Sequence, residues 1–252
     1  MENRILGATG MSVSSIGLGT VKLGRNQQVK YPTPFDLPND ATICALLDKA
    51  KGLGINLLDT APAYGTSQAR LGQLLTQRDT WVLVSKVGEQ YQDGQSYYDF
   101  SYQATIQTVQ ASLRTLKTSY LDVVLIHSDG NDLDILQRTD CVAALEYLKQ
   151  RGDIRAHGLS GKTMAGHQQA LQYLDVVMVS YSPADTSQQT ILDQARLLNK
   201  GVLIKKGLNS GYQSEPQVAI RQILRQAAVS SLVVGTLNLD HLQQNVAAAT
   251  CG

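Results

Sequence analysis

The chain has 252 residues, of which 43% are hydrophobic and 17% charged, enough for one large buried core. Its 22 lysines and arginines nearly balance its 21 aspartates and glutamates, which argues against a protein that binds nucleic acid through a basic face. No apolar run reaches the roughly 18 residues that a membrane helix needs, so we expect no membrane partner.

The three cysteines, Cys44, Cys141 and Cys251, are far apart and form neither a metal-binding nor a disulfide pattern. The segment Met1–Gly7 also lacks the apolar stretch of a signal peptide. We therefore expect a reduced, cytoplasmic protein without a metal site.

Short apolar runs alternate with stretches of helical period along most of the chain. Nearly continuous apolar character over a few residues is typical of strands that are buried on both faces of a parallel sheet. The predicted strands are 15–19, 55–59, 81–86, 121–127, 154–160, 176–181, 201–205 and 231–235.

The stretches between these strands have the apolar spacing of helices. In the first of them, Ile43, Leu46, Leu47 and Ala50 follow the i, i+3, i+4, i+7 pattern, and Asp40 is the predicted N-cap. Similar stripes include Ile106, Val109, Leu113 and Leu116, and later Ile220, Ile223, Leu224 and Ala227.

Eight strand–helix units predict an α/β protein with the (β/α)8 TIM barrel fold, formed as a single domain by residues 1–252. A doubly wound open sheet is the alternative, but no GxGxxG pattern follows the first strand. Before that strand, residues 4–6 and 11–13 flank a Gly-containing turn and predict a β-hairpin that plugs the bottom of the barrel.

Three consecutive predicted strands end in an ionisable residue: Asp59, Lys86 and His127. In a parallel barrel these ends share one rim, where neighbouring strands lie about 4.8 Å apart and where barrel enzymes carry their chemistry. Tyr64 follows Asp59 in a short loop over the same rim. Any one of these residues alone would suit a turn or a solvated strand end, but three on adjacent strands favour an active site.

These four side chains suit the protonation of a developing alkoxide. A phenol has an ordinary pKa of about 10, and a nearby ammonium makes its proton easier to give. We therefore predict that Lys86 lowers the pKa of Tyr64, that Asp59 holds Lys86 in place, and that His127 binds a substrate oxygen.

At these residues the chain resembles the aldo-keto reductase superfamily. The matching segments are Asp59-Thr60-Ala61 with Tyr64-Gly65, the lysine strand at 84–86, and residues 112–116 with 120–127, which lead to His127. The opening segments 6–14 and 17–20 are also similar, so the likeness spans nearly the whole chain.

The resemblance implies an NADPH-dependent oxidoreductase that reduces an aldehyde or ketone, with NADH as an alternative cofactor. It assigns Tyr64 as the general acid, with Asp59, Lys86 and His127 as the other catalytic residues. It also implies a monomer whose partner is a small carbonyl substrate. The cofactor-binding positions that it implies are Thr20, Asp59, Ser160, Lys205, Lys206, Gly207, Leu208, Ser210, Gly235, Thr236, His241 and Asn245.

The chain departs from the family pattern at four cofactor positions. Gly161 replaces an Asn and Met178 a Gln, both of which hold the carboxamide; Lys205 replaces an aromatic residue, and His241 replaces an Arg that faces the 2′-phosphate. A cofactor-binding barrel of weak activity, serving as a redox sensor or auxiliary subunit, is therefore an alternative. A lyase or isomerase that forms a Schiff base on Lys86 is disfavoured, because Asp59 would keep this lysine charged.

An aromatic-rich segment, residues 91–102, follows the lysine strand. Its position allows two interpretations, which stay open at this stage. The rings wall the substrate site, or they pack on the rim of the barrel.

Overall fold

A computed structural model describes residues 1–250 of the chain. The strands are β1 (Asn3–Ile5), β2 (Ser12–Ser14), β3 (Ile16–Gly19), β4 (Leu57–Asp59), β5 (Val82–Val87), β6 (Glu89–Gln92), β7 (Gln95–Tyr98), β8 (Leu121–His127), β9 (Ile154–Ser160), β10 (Val176–Ser180), β11 (Gly201–Lys205) and β12 (Ser231–Val234). The helices are α1 (Val21–Gly24), α2 (Asp40–Gly52), α3 (Ser67–Leu74), α4 (Tyr102–Thr115), α5 (Asp132–Arg138), α6 (Cys141–Arg151), α7 (Met164–Tyr173), α8 (Gln189–Leu197), α9 (Pro216–Leu224) and α10 (Leu239–Thr250).

Eight strands form a closed barrel, in the order β3, β4, β5, β8, β9, β10, β11 and β12, with β12 pairing back to β3. Every pair in the barrel is parallel. The predicted (β/α)8 TIM barrel is confirmed, because closure and helical crossovers exclude an open doubly wound sheet. Each of the eight predicted runs overlaps one barrel strand.

Two apolar clusters hold the barrel together. The larger one lies between the strands and the surrounding helices, and the smaller one fills the interior of the barrel with side chains such as Leu57, Val84, Leu125 and Leu203. Strands covered on both sides must be apolar on both faces, which explains why the sequence shows continuous apolar runs rather than alternation.

The N-terminal hairpin closes one end of the barrel, as predicted. β1 and β2 pair in antiparallel fashion. Leu6, Met11 and Val13 are buried and belong to the same cluster as the interior side chains of the barrel strands. The hairpin therefore caps the interior core on the side opposite the C-terminal ends of the strands.

The helices bury the predicted apolar stripes. In α2 the buried residues are Ile43, Leu46, Leu47 and Ala50. The prediction that Asp40 caps this helix is wrong, because Asn39 is the N-cap and its side chain accepts a hydrogen bond from the backbone N–H of Thr42. Asp40 begins the helix instead, where a negative charge is favourable beside the free N–H groups.

A second antiparallel hairpin, formed by β6 and β7, lies between barrel strand β5 and helix α4. It rises from the C-terminal end of β5, on the face where the strand ends meet. Within residues 1–250, no helix combines the length and the apolar character needed to cross a membrane.

Candidate active site

The C-terminal ends of the barrel strands form a mouth on which the predicted residues converge. β4 ends at Asp59, β8 at His127, β9 at Ser160 and β11 at Lys205. Lys86 is the penultimate residue of β5. Since all of these strands run parallel in one closed barrel, their C-terminal ends share one rim, and the topology brings these residues together.

Asp59 and Lys86 form a buried ion pair beneath the mouth. The Nζ atom of Lys86 donates hydrogen bonds to Oδ1 of Asp59 at 2.6 Å and to the backbone carbonyl of Thr60 at 3.0 Å. The two side chains are only 2% and 6% exposed. A charged pair so deeply buried depends on both partners, because either charge alone would be poorly solvated.

Tyr64 lies directly above this pair. Its hydroxyl donates to Oδ2 of Asp59 at 3.4 Å, and the Lys86 ammonium is 4.8 Å from the centroid of its ring. The loop that carries Tyr64 packs closely against α1: at Gly65, which has φ +59°, an added Cβ would come within 2.2 Å of the Gly24 carbonyl oxygen. A residue with a side chain would therefore displace this loop.

The prediction that Lys86 lowers the pKa of Tyr64 is wrong. Burial raises the pKa of Tyr64 well above its ordinary value, and the negative charges of Asp59 and Glu89 act in the same direction. The Lys86 ammonium is paired with the Asp59 carboxylate, which also accepts a hydrogen bond from the Tyr64 hydroxyl. Tyr64 therefore holds its proton at neutral pH.

The ring of His127 meets the ring of Tyr64 edge-on, with centroids 6.3 Å apart. The pKa of His127 is lowered from its ordinary value, mainly by burial and further by the ammonium groups of Lys86 and Lys205. The carboxylate of Glu89 raises this pKa but does not outweigh the other effects. The Nδ1 atom lies 2.7 Å from Oε2 of Glu89. Glu89 was not among the predicted site residues.

A cavity of about 770 Å³ opens over the mouth and extends toward β12 and α10. Asp59, Tyr64 and His127 line it, while Lys86 lies beneath the lining. All of the predicted cofactor positions line the same cavity, namely Thr20, Asp59, Ser160, Lys205, Lys206, Gly207, Leu208, Ser210, Gly235, Thr236, His241 and Asn245.

The hydroxyl of Thr20 is already engaged within the protein. It donates to the backbone carbonyl of Asp59 at 3.0 Å and accepts from the Ser67 hydroxyl at 2.8 Å. Thr20 thus ties the ends of β3 and β4 together and has no free proton to offer a ligand.

The structure shows what surrounds Gly161, Met178 and Lys205, where the chain departs from the family pattern. An added Cβ at Gly161 would lie 2.9 Å from both Asp132 Oδ2 and His167 Nε2, so there is no space for an Asn. Met178 is buried in the interior core of the barrel. Lys205 occupies this side of the mouth instead, and its Nζ donates to Ser160 Oγ and to the carbonyl of Gly161, both at 2.8 Å.

The pKa of Lys205 is unusually low for a lysine. Burial is the main cause that lowers its pKa to about 7, and the charges of Lys206, Lys86 and Lys162 contribute. Its ammonium therefore titrates near neutral pH, in the same cavity as Tyr64 and His127.

The loop after β11 turns its backbone sharply as it passes the cavity. Lys206 and Ser210 have φ of +58° and +55°. At Gly207 an added Cβ would come within 2.6 Å of Leu232, so this position cannot carry a side chain without displacing the core. Farther along the cavity, Asn245 is buried on α10, and His241 is exposed at the start of the same helix.

Sequence reasoning missed a second tyrosine in the cavity wall. Tyr31 belongs to the Pro-containing loop between α1 and α2, and Lys22 Nζ lies 4.0 Å from its ring centroid. Burial and the charge of Asp59 raise the pKa of Tyr31 to about 12. The position of this long loop after the first barrel strand could have indicated Tyr31, because loops that follow barrel strands lie over the mouth.

The aromatic segment packs on the rim. Tyr91 stacks on the guanidinium of Arg25 at 3.6 Å, and the ring of Phe100 covers Gly88. Among the described residues that line the cavity, none comes from this segment.

The cavity suits a nicotinamide dinucleotide in its chemistry. It carries ammonium groups from Lys22, Lys205 and Lys206, which suit phosphates, and polar side chains at both ends. Its volume lies in the range of pockets that enclose cofactors. Over residues 1–250, there is no group of three or more His, Cys, Asp or Glu placed to hold a metal ion.

Comparison with known proteins gives a consistent picture. The model of the aldo/keto reductase family matches residues 15–212. An uncharacterised oxidoreductase, YqkF of Bacillus subtilis, is 27% identical over 99% of this chain and 91% of its own length. The NADH-specific methylglyoxal reductase of Escherichia coli is 31% identical over 76% of this chain and 62% of its own length.

Solved structures are also similar. The crystal structure of PA4992 from Pseudomonas aeruginosa, a protein classed with the aldo-keto reductases, has a TM-score of 0.91 at 48% identity and covers 98% of this chain and 93% of its own. The holo form of the aldo-keto reductase AKR11C1 from Bacillus halodurans has a TM-score of 0.86 at 24% identity, covers 100% of this chain and 92% of its own, and supports the fold alone.

Proposed function

The chain belongs to the aldo/keto reductase family of oxidoreductases, and from that premise we propose that it reduces the carbonyl of an aldehyde or ketone to an alcohol with NADPH. One observation carries this proposal: the Tyr64 hydroxyl and the His127 ring lie side by side in a cavity that all of the predicted dinucleotide positions also line. A proton donor and a site for a dinucleotide thus share one space.

Each of the four residues has a distinct role in this proposal. Tyr64 holds its proton at neutral pH and gives it to the alkoxide that develops as the carbonyl is reduced. Asp59 accepts a hydrogen bond from the Tyr64 hydroxyl and fixes its position, and Lys86 balances the charge of Asp59. His127 orients the carbonyl oxygen toward Tyr64.

The cofactor supplies a hydride to the carbonyl carbon when it is bound. Lys206, Gly207 and Ser210 would surround its phosphates, because they line the cavity in the sharply turned loop after β11. Ser160 and Lys205 would face the carboxamide, and His241 and Asn245 the adenosine end.

We infer that NADPH is preferred over NADH by a small margin only. The 2′-phosphate of NADPH needs a cationic partner, and α10 carries His241 rather than an arginine at the matching position. The NADH-specific methylglyoxal reductase among the relatives is a precedent for NADH use within the family.

The direct test measures the oxidation of NADPH or of NADH, through the change in absorbance, with each member of a panel of aldehydes, ketones and quinones as the substrate. We expect turnover of at least one carbonyl compound, with the alcohol as the product. Failure with the whole panel despite tight cofactor binding would contradict the proposal.

One observation favours a second function, a cofactor-binding redox sensor or auxiliary subunit. Ser160 Oγ, a predicted carboxamide ligand, already accepts a hydrogen bond from Lys205, and Gly161 and Met178 offer no amide side chain there. A weakly held nicotinamide would turn over slowly. Tight binding of the dinucleotide without turnover of any carbonyl would support this alternative.

A further inference from the structure

Glu89 contacts the candidate catalytic histidine from a separate element. It is the first residue of β6 and follows Lys86 by three positions, at the base of the β6–β7 hairpin. Its Oε2 lies 2.7 Å from Nδ1 of His127, and the side chains are 11% and 20% exposed. Two polar groups so close, and so shielded from water, interact strongly.

The hairpin holds this carboxylate in place. Ser96, on the opposite strand of the hairpin, donates its hydroxyl to Oε1 of Glu89 at 2.7 Å, and an Arg25 nitrogen lies 3.8 Å from the same oxygen. Oε2 is left to face His127. Burial alone would raise the pKa of Glu89, but its contacts with His127, Ser96 and Arg25 outweigh burial and lower that pKa to about 2.

The two nitrogens of His127 lie in different surroundings. Nδ1 is buried, and within residues 1–250 no hydrogen bond to it is well aligned, although Oε2 of Glu89 is in range. A rotation of the ring or of the carboxylate would align the pair. Since Nδ1 faces Glu89, Nε2 is the nitrogen left for the cavity that His127 lines.

We infer that Glu89 is a positioning residue for His127: its carboxylate keeps the proton of the neutral ring on Nδ1, so that Nε2 can donate to the substrate oxygen only when the ring is protonated. The inference rests on the proposed function for the nature of that substrate. An ionised carboxylate can only accept hydrogen bonds, so the nitrogen beside it must carry the proton. The partner of one ring nitrogen thereby decides the state of the other.

This arrangement makes the donor ability of His127 depend on pH. In the neutral ring Nε2 has a lone pair and cannot donate to a carbonyl oxygen, whereas in the protonated ring both nitrogens donate. The carboxylate of Glu89 and the neutral phenol of Tyr64 contact the ring, and Arg25 lies behind Glu89. The ammonium groups of Lys86 and Lys205 also act on its titration. Carbonyl reduction should therefore fall as the pH rises through the titration of His127.

The first test is nuclear magnetic resonance of the cofactor-free protein with ¹⁵N-labelled histidine. The chain has only 4 histidines, so a His127→Asn variant identifies the signals. We expect the neutral ring of wild-type His127 to carry its proton on Nδ1. A neutral ring protonated on Nε2 would overturn the inference, and this result needs no variant of Glu89.

The second test is Glu89→Gln, with Asp93→Asn as the matched control. Asp93 is an exposed carboxylate at the turn of the same hairpin, and Asn tolerates its positive φ of +51°. Removing this carboxylate should lower the pKa of His127, because the carboxylate raises it, and should release the preference of the ring proton for Nδ1. Asp93→Asn should change neither. An unchanged pKa and tautomer in Glu89→Gln would contradict the inference.

Kinetics then separate positioning from a merely structural role. The wild type should lose carbonyl reduction across the pH range in which His127 titrates. In Glu89→Gln this pH dependence should flatten, because the amide can donate to Nδ1 and leave a proton on Nε2 of the neutral ring. Glu89→Gln with the same pH profile as wild type, merely lower at every pH, would overturn the inference. If the resonance results hold but no carbonyl is reduced by the wild type, the proposed function fails and the placement of Glu89 stands.

Discussion

Lys86 acts on Asp59 rather than directly on Tyr64: its ammonium lies 2.6 Å from the carboxylate, whereas it is 4.8 Å from the centroid of the phenol ring. The two opposite charges largely cancel beneath the mouth. The carboxylate then has a second oxygen available for the Tyr64 hydroxyl. The ion pair thus holds the phenol in position and leaves its proton in place for transfer to a substrate.

Breaking this pair on one side should destabilise the protein strongly. We expect Lys86→Met to lower the free energy of unfolding by about 3–5 kcal/mol, because Asp59 is left buried without its counter-charge. Urea-induced unfolding, followed by circular dichroism, measures this loss.

The double variant Lys86→Met with Asp59→Asn is the matched comparison. It removes both charges and should be less destabilised than Lys86→Met alone, since no unpaired carboxylate remains. Equal destabilisation of the single and double variants would show that the two residues do not interact in solution.

Tyr64→Phe should abolish most of the carbonyl reduction while leaving cofactor binding nearly intact. The substitution removes the only proton of the Tyr64 side chain that can be transferred, and a positioned general acid contributes typically about 10²–10⁴-fold to the rate. The measurements are kcat on the best substrate and a fluorescence titration with NADPH. Tyr97→Phe, at an exposed tyrosine, is the control, and a Tyr64→Phe variant with wild-type kcat would remove Tyr64 from its proposed role.

The barrel and the convergence of the site were predictable from sequence for a simple physical reason. Strands buried on both faces must be apolar throughout, so a polar residue at the end of such a run, such as Asp59 or His127, stands out and lies at the mouth. The cofactor positions came from the resemblance and not from a physical pattern.

Three features of the site could not be predicted, because each depends on side-chain direction, burial or loop conformation at the mouth. Glu89 lies two residues beyond the end of β5 and contacts His127 at the end of the neighbouring strand β8, but the direction of its side chain depends on the conformation of the chain after the strand. Tyr31 joins the cavity wall from the middle of an irregular loop. The raised pKa of Tyr64 follows first from its burial and then from the charges of Asp59 and Glu89, and sequence spacing does not determine that burial.

Lys205 should make the stability of the protein depend on pH. Its pKa in the folded protein is about 7, whereas a lysine in an unfolded chain titrates near about 10.4. Between these values the unfolded chain binds more protons than the folded one, so this group makes the free energy of unfolding rise with pH. Lys205→Met should lack that contribution.

Urea-induced unfolding of the wild type and of Lys205→Met at pH 7, 8 and 9 measures this contribution. The free energy of unfolding of the wild type should increase steadily relative to that of Lys205→Met as the pH rises. Lys30→Met, at an exposed lysine, is the control, and its free energy of unfolding should change with pH in the same way as that of the wild type. A difference between the wild type and Lys205→Met that stays constant from pH 7 to 9 would show that Lys205 is fully charged in the folded protein.

Residue 241 should set how strongly the protein prefers NADPH over NADH. His241 lines the cavity at the start of α10, a helix whose sequence contains no lysine or arginine. The 2′-phosphate of NADPH is held best by a charged group that also donates hydrogen bonds, and a permanently charged side chain at this position should hold it more tightly than histidine does. Titrations of Kd for NADPH and NADH give the preference as a ratio, in which groups that contact both cofactors alike, such as Lys205, cancel.

His241→Arg should tighten the binding of NADPH and leave that of NADH nearly unchanged, because a guanidinium keeps its charge and can bind phosphate with two hydrogen bonds. His241→Gln is the matched comparison, since it keeps a polar side chain of similar size that cannot carry a charge. Its preference for NADPH should fall below that of His241→Arg. Equal ratios in the wild type, His241→Gln and His241→Arg would show that residue 241 does not contact the 2′-phosphate.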